Sequence, residues 1–373
     1  MSNFLVKKIS DRVLAHVDID YFYAQCEEIR NPAVKNKPIV VCQYSNRTKD
    51  SGAVATTNYL ARKYGVKSGI SIIMAQNLLK NHDATFLPAD HDYYEKISDS
   101  IMNILKSHSD KFEQVSIDEA FIDLTKKSES NFDFGKKLIL NIKSKIFDEQ
   151  NLTCSIGLAP NKSIAKIASD FNKPAGVTVI KNNEMLNFLN PLPVRKIYGV
   201  GKKTEKIFTD LGINTIADLS KSNLESLSKK LGSKKLAVYF HNVSNAIDDE
   251  PVIENQTKEQ FSYIKTLKTN TRDIKEILTE LYQLNHKIHY DLNKNQLSFK
   301  SISLIIIDEN LRAYSKSKTS DHPLQNIKYI DSLCSDLLSE FLKIENKIYV
   351  RRVGIKVSNL IKTQGQTSLK KFF

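Results

Sequence analysis

The sequence predicts a multidomain α+β chain that opens with a ferredoxin-like domain. Three observations predict it. The 373 residues exceed what one compact core holds, and a hydrophobic share of 41% suffices for several. Up to residue 158 the patterns run strand, helix, hairpin, helix, strand, which is the ferredoxin-like order. After Pro174-Ala175-Gly176 the chain turns lysine-rich and helical, and a second α+β pattern follows an acidic, proline-containing stretch.

Each element has its own signal. Residues 13–20 (VLAHVDID) are a short apolar run ending in two acids, a buried strand with a polar C-terminal end. The pattern turns helical over 21–30, and a second strand is expected at 38–42. Ser51-Gly52 breaks the chain ahead of a helical stretch at 58–64, and Gly65 and Gly69 mark turns. A helix is expected at 93–107. Residues 111–125 (KFEQVSIDEAFIDLT) read as a β-hairpin with apolar flanks and an acidic tip. A helix at 135–147 and a strand at 153–158 complete the first domain. Residues 178–243 hold 11 Lys/Arg against 5 Asp/Glu and form a small basic helical module. Residues 244–257 (SNAIDDEPVIENQT) read as a linker. The second α+β domain runs over 258–358, with strands at 301–307 and 353–357, and 359–373 form a tail.

Charge narrows the function. Lys and Arg outnumber Asp and Glu by 55 to 42. A net charge of +13 and a pI near 9.3 favour a polyanionic partner, nucleic acid first and an anionic membrane surface second. No apolar run reaches the ~20 residues that span a bilayer, and residues 1–12 lack a signal-peptide core, so a cytoplasmic, nucleoid-associated protein is expected. Cys26, Cys42, Cys154 and Cys334 are scattered, with no C-x-x-C pair, and read as reduced core thiols.

The first strand carries Asp18-Ile19-Asp20 and the hairpin carries Asp118-Glu119. In a ferredoxin-like sheet the first strand lies beside the hairpin, so Asp18 and the hairpin tip converge. Converging carboxylates repel unless a cation sits between them, and hard oxygen ligands suit Mg²⁺. Two such ions ~3.5–4 Å apart perform phosphoryl-transfer chemistry. The Ile19 carbonyl is a further candidate ligand. A single acid at a strand end is more often merely solvated; the combination of D-x-D on an apolar strand with S-I-D-E-A in an apolar hairpin is what singles these out. Asp20 is left out of the metal set and read as a cap for the following helix.

Four stretches resemble the Y-family of translesion DNA polymerases, of the DinB (polymerase IV) type. They are VDIDYFYAQCEE at 17–28, SGAVATTNYLARKYGVKSG at 51–69, SIDEAFIDLT at 116–125 and CSIGLAPNKSIAKIASDFNKPAG at 154–176. Ile19 stands where the family usually has Phe. The resemblance covers residues 12 to 360 and implies a right-hand polymerase: palm at 12–30 and 88–177, inserted fingers at 31–87, helix-hairpin-helix thumb at 178–243, linker at 244–257 and little finger at 258–358. It implies template-directed DNA synthesis past damaged bases, with low fidelity and low processivity, from deoxynucleoside triphosphates on primer-template DNA, by a monomer. Asp18, Asp118 and Glu119 would be the catalytic metal ligands for two Mg²⁺ ions, assisted by the Ile19 carbonyl. Tyr21, Phe22, Thr56, Tyr59, Arg62 and Lys173 fall where the family binds the incoming nucleotide; Arg and Lys suit phosphate by charge, Thr and Tyr by hydrogen bonding. Tyr23 falls at the steric-gate position, where its ring would exclude a 2′-hydroxyl.

Two further regions fit DNA. Residues 197–213 (IYGVGKKTEKIFTDLGI) look like a helix-hairpin-helix, in which Gly199 and Gly201 let backbone N–H groups approach a phosphate beside Lys202, Lys203 and Lys206. In the C-terminal domain, with 17 Lys/Arg against 12 Asp/Glu over 258–358, Arg351, Arg352 and Lys356 lie on a strand resembling the family's template-contacting strand. A solvated charged face would have the same pattern. The stretch 254–261 is partly acidic where family members are often basic.

The chain ends in Gln366, Leu369, Phe372 and Phe373 at Q-x-x-L-x-x-F-F spacing, which resembles the peptide that docks on PCNA-type sliding clamps; that resemblance implies an archaeal or eukaryotic setting, and the compact length favours archaeal. His286 and His289, spaced i, i+3, lack a third metal ligand and read as an exposed helix face. His91 reads as a surface turn, and the Ser- and Lys-rich residues 314–320 read equally as a phosphate-touching patch or a solvated loop. Two competing readings are a catalytically silent, clamp-tethered DNA scaffold of this fold and another palm enzyme such as a nucleotide cyclase. The intact carboxylates disfavour the first; the helix-hairpin-helix and clamp peptide disfavour the second.

Overall fold

The structure, a computed structural model, describes residues 11–45, 47–254 and 258–363. They fall into two compact units, one built mainly from residues before 256 and the other mainly from residues after it.

The first unit begins with β1 (Leu14–Ile19) and α1 (Phe22–Arg30), then β2 (Ile39–Tyr44), β3 (Gly52–Thr57), α2 (Tyr59–Lys63), α3 (Ile72–Leu79), β4 (Thr85–Pro88) and α4 (His91–His108). The hairpin is β5 (Lys111–Gln114) and β6 (Glu119–Asp123), followed by α5 (Phe132–Gln150), β7 (Cys154–Ala159), α6 (Lys162–Phe171) and β8 (Val177–Val179). The main sheet has the order β5-β6-β1-β7-β8. Its first four strands are the ferredoxin-like arrangement, with β1 antiparallel to both β6 and β7, and β8 adds a parallel edge.

β1 is buried along its whole length because both sheet faces are covered. Its alternation sorts the side chains. Val13, Ala15, Val17 and Ile19 join the core with Ile101 and Leu105 of α4 and Ile139, Ile142 and Ile146 of α5. Leu14 joins the opposite core with Ile164, Ala165, Ile167 and Ala168 of α6. His16 and Asp18 share Leu14's parity and therefore face α6. Gly157, the cross-strand partner of His16, lets α6 lie this close: a Cβ there would stand 2.1 Å from the Ala165 carbonyl oxygen.

The inserted subdomain has a sheet of order β3-β2-β4. β3 and α3 were not expected. GAVATT lacks an alternating apolar pattern, and its pairing in the subdomain sheet overrides the weak local signal. His91 is the first residue of α4, not a turn, because Asp90 accepts the Tyr93 N–H and caps that helix.

The helical module contains α7 (Met185–Leu189), α8 (Lys202–Asp210), α9 (Ile216–Ser220), α10 (Leu224–Leu231) and α11 (Lys234–Ser244). Phe208, Ile216, Leu219, Leu227, Ala237 and Phe240 form its core, continuous with the apolar side of α6. The stretch after α11 is not the free linker its polarity suggested. Asp248 accepts the Ser163 N–H at 2.8 Å and its hydroxyl at 2.6 Å, Ile253 N–H donates to Glu113, and Val252 is buried. Up to residue 254 this segment is a strap, anchored to the sheet domain by these bonds.

The second unit holds β9 (Gln260–Thr271), α12 (Ile274–Lys294), β10 (Leu297–Asp308), β11 (Ala313–Leu324), α13 (Ile327–Ile344) and β12 (Val350–Lys362). Its antiparallel sheet has the order β11-β10-β12-β9. Ile277, Leu281 and Ile288 of α12 and Leu333, Leu337 and Phe341 of α13 pack against Ile302, Val353 and Ile355. Residues 314–320 lie in edge strand β11 rather than a loop, and β12 runs on past residue 358. His286 is exposed on α12, as expected of a helix face, and His289 is half-buried.

Candidate active site

Asp18 and Glu119 are directly opposed across β1 and β6, so their side chains stand on one face of the sheet, the face that α6 covers. Asp118 immediately precedes β6; its carbonyl accepts the Ile19 N–H at 3.0 Å, and its carboxylate accepts the Ser116 hydroxyl at 2.6 Å. The hairpin thus locks onto the end of β1 through main chain and delivers all three acids to one edge. Among the described residues, no three acidic, histidine or cysteine side chains meet closely enough to enclose a metal on their own. Two lysines stand against the carboxylates: Lys173 Nζ lies 2.7 Å from Asp18 and Lys166 Nζ lies 2.8 Å from Glu119.

The electrostatics follow from burial. Asp18 is only 7% exposed, and burial pushes its carboxyl up to about 7 although Lys173 pulls it back part of the way. Burial also raises Asp118, against the stabilising Ser116 hydroxyl. Burial draws the Lys173 ammonium down, but Asp18 and Asp170 outweigh it and hold it above the usual lysine range. Carboxyl groups that resist ionisation unless a cation is near, presented as hard oxygen donors, fit a divalent ion such as Mg²⁺.

Asp20 does not cap α1; the capping position falls to Tyr21, which makes no side-chain cap. Asp20 is instead buried and accepts the Thr153 and Ser155 hydroxyls at 3.0 and 2.8 Å and the Ala175 N–H at 2.8 Å. It ties β1 to β7 and to the turn that carries Lys173.

Besides Lys173, the triphosphate candidates lie on the inserted subdomain and at the start of α1. Tyr59 Oη is buried and has no hydrogen-bond partner among the described residues. Such a donor is costly unless a ligand completes it. Arg62 lies over the Tyr59 ring at 4.9 Å, and Tyr21 meets that ring edge-on at 5.1 Å. Thr56 is half-buried on β3. Phe22 differs from expectation: its side chain is core, 2% exposed, which leaves only its backbone N–H in the first turn of α1 to meet a ligand. Tyr23 stacks on Tyr94 with centroids 4.3 Å apart and planes 15° apart, which fixes the ring.

In the helical module Gly199 has φ +88°, a left-handed conformation, and Gly201 precedes the first turn of α8 with nothing within 4 Å of a would-be Cβ. Lys202 and Lys203 are exposed beside it. In the second unit, the register slips between Val350 and Arg352. The alternation that buries Val350 and Val353 therefore leaves Arg351 and Arg352 both off the core. The Nε atoms of both arginines are buried without a partner among the described residues. Gln366, Leu369, Phe372 and Phe373 lie outside the described residues.

Sequence reasoning missed a second layer. α6 and the turn after it present three ammonium groups, each to a different strand: Lys162 to Glu113, Lys166 to Glu119 and Lys173 to Asp18. Behind Glu119, His16 Nδ1 lies 2.8 Å from Ser169 Oγ. That hydroxyl donates to the Lys166 carbonyl, so it accepts from Nδ1–H, and this network leaves Nε2 bare to accept from Lys166 Nζ at 3.3 Å. Burial, then the nearby lysines, keeps this histidine neutral by lowering its pKa well below the usual value. The available signal was Lys162 and Lys166, one turn apart on α6, with Lys173 in the turn after it.

A central β1 flanked by a carboxylate hairpin, an inserted subdomain and a basic helical module fit a palm-type polymerase. The chain matches the impB/mucB/samB family over residues 17–170, that family's helix-hairpin-helix motif over 182–213 and its C-terminal domain over 258–370. It is 42% identical to a DNA polymerase IV of Nitrosopumilus maritimus over 97% of this chain and 99% of that one. Among solved structures it resembles a Y-family DNA polymerase chimera of Dbh and Dpo4 (TM-score 0.88, 40% identity, 94% of this chain and 99% of that one). It also resembles an insertion ternary complex of Dbh DNA polymerase (TM-score 0.70, 41% identity, the same coverage). The chain belongs to the DinB-type Y-family of DNA polymerases. It is a DNA-directed DNA polymerase of the translesion type, and polymerases of this family generally use divalent metal ions.

Proposed function

We propose that Asp18, Asp118 and Glu119, with the Ile19 carbonyl, hold two Mg²⁺ ions, and that the chain adds deoxynucleotides to a primer 3′-hydroxyl on primer-template DNA. The observation that carries this reading is the cross-strand pairing of Asp18 with Glu119 on one buried face, each carboxylate matched to a lysine. Bound there, the metal would activate the hydroxyl and stabilise the leaving pyrophosphate. The chain's own groups do the rest. Lys173 leaves Asp18 for the triphosphate, Arg62 and Tyr59 neutralise and hydrogen-bond it, and Thr56, Tyr21 and the Phe22 N–H complete the grip. The stacked Tyr23 ring blocks a 2′-hydroxyl.

Gly199, Gly201, Lys202 and Lys203 grip a DNA phosphate without reading sequence, and Arg351 and Arg352 grip another, so affinity should fall steeply with salt. Residues 366–373 tether the polymerase to a PCNA-type clamp, compensating low processivity by effective concentration. The protein acts as a cytoplasmic, nucleoid-associated monomer. Primer extension with Asp118→Ala tests the reading. Extension should be lost while primer-template binding persists; extension at the wild-type rate would overturn it.

A further inference from the structure

Lys166 is a fixed ammonium group at the edge of the carboxylate site. Its side chain is 15% exposed, its Nζ lies 2.8 Å from Glu119 Oε2 and 3.3 Å from His16 Nε2, and it sits 5.3 Å over the Tyr198 ring. The His16 lone pair and the Tyr198 face both attract a cation, and neither depends on Glu119. Lys166 therefore has somewhere to stay when Glu119 is taken by another partner. Lys162, one turn earlier, belongs to a different carboxylate: it is buried on Glu113 at 2.8 Å, away from the Asp18–Glu119 pair.

We propose that Lys166 is a positioning residue of the metal site: its ammonium seats the Glu119 carboxylate in the metal-free protein and competes with the metal ion for it. This rests on the assignment of Glu119 as a metal ligand. Two cations contending for one carboxylate bind at each other's expense. The lysine thereby keeps Glu119 on the face it shares with Asp18, and it makes the site a weak trap for metal until substrate adds further ligands.

The test is Mn²⁺ binding to the full chain without DNA or nucleotide, read from the free Mn²⁺ signal by electron paramagnetic resonance. Lys166→Met should bind Mn²⁺ about tenfold more tightly than wild type, the equivalent of one modest ion pair. Lys166→Arg should bind like wild type. In a Glu119→Gln background, Lys166→Met should change nothing. Should Lys166→Met fail to fold, Lys166→Gln, which keeps a polar end against His16, carries the same expectation. Unchanged or weaker binding by the lysine variants would overturn the proposal, and so would tightening that persists in Glu119→Gln, which would mark a diffuse charge effect. If Glu119→Gln alone leaves Mn²⁺ affinity unchanged, the ligand assignment itself fails, and the proposal with it.

Discussion

Lys173 Nζ lies 2.7 Å from Asp18 Oδ1 and 2.7 Å from Asp170 Oδ1, so one ammonium group bridges the sheet strand and the helix that precedes it. The turn that carries it is fixed from the other side by Asp20, which accepts the Ala175 N–H. The proposed function has this ammonium group move to the triphosphate. Lys173→Ala removes it and leaves Asp18 buried without its partner. The catalytic efficiency of nucleotide insertion should fall by about 100-fold. Most of the loss should appear in the KM for the nucleotide, measured by steady-state insertion on primed template; an unchanged KM would separate Lys173 from the triphosphate.

Asp18 ties stability to pH. Its carboxyl titrates near 7 when folded and near its ordinary value of 3.8 when unfolded. Between those values the folded chain keeps the proton and the unfolded chain releases it. Ionising Asp18 therefore opposes folding progressively as pH rises from about 4 to about 7, and fully above that. Asp18→Asn carries no such burden. In metal-free buffer the melting temperature of Asp18→Asn should gain on wild type across that window. Curves that stay parallel would show that burial does not control this group.

Tyr23 stacks on Tyr94, which favours one orientation of its ring at the proposed steric gate. Tyr23→Ala should lower discrimination between deoxy- and ribonucleotides by roughly 100-fold, the scale of a steric rejection. Single-nucleotide kinetics with both sugars measures this; retained selectivity would place the gate elsewhere.

Gly157 sets the distance between β7 and α6. A Cβ would meet the Ala165 carbonyl at 2.1 Å and the Ser169 nitrogen at 2.4 Å, both main-chain atoms that cannot swing aside. Gly157→Ala should destabilise the protein by about 3 kcal/mol, measured by denaturant unfolding. A variant as stable as wild type would mean that α6 is free to move out, and with it Lys166.

Deletion of residues 366–373 should abolish stimulation by a PCNA-type clamp and spare extension without it. A deleted protein still stimulated by the clamp would remove the tether from this peptide.

The ferredoxin-like order and the acidic pair were legible because β1 and the hairpin carry strong local patterns: an apolar run interrupted by acids says both strand and site. What the sequence hid depends on tertiary partners. The strap after α11 reads as a linker because its residues are polar; only Ser163, Lys162 and Glu113, distant in the chain, anchor it. Asp20 sits where a cap is common, yet its partners Thr153, Ser155 and Ala175 come from β7 and beyond. Lys166 looks like any lysine on an amphipathic helix until β1 and β6 place His16 and Glu119 under it. Phe22 falls within a nucleotide-binding motif but gives its ring to the core.

The central claim is that Asp18 and Glu119 jointly hold the metal for nucleotide transfer. Single-turnover incorporation of one deoxynucleotide with Mg²⁺, by rapid chemical quench on pre-bound primer-template, tests it most directly. Asp18→Asn and Glu119→Gln should each bind DNA like wild type and lose at least about 1000-fold in the incorporation rate, the scale of a lost charge-stabilising group. Incorporation within tenfold of wild type by either variant would contradict the account.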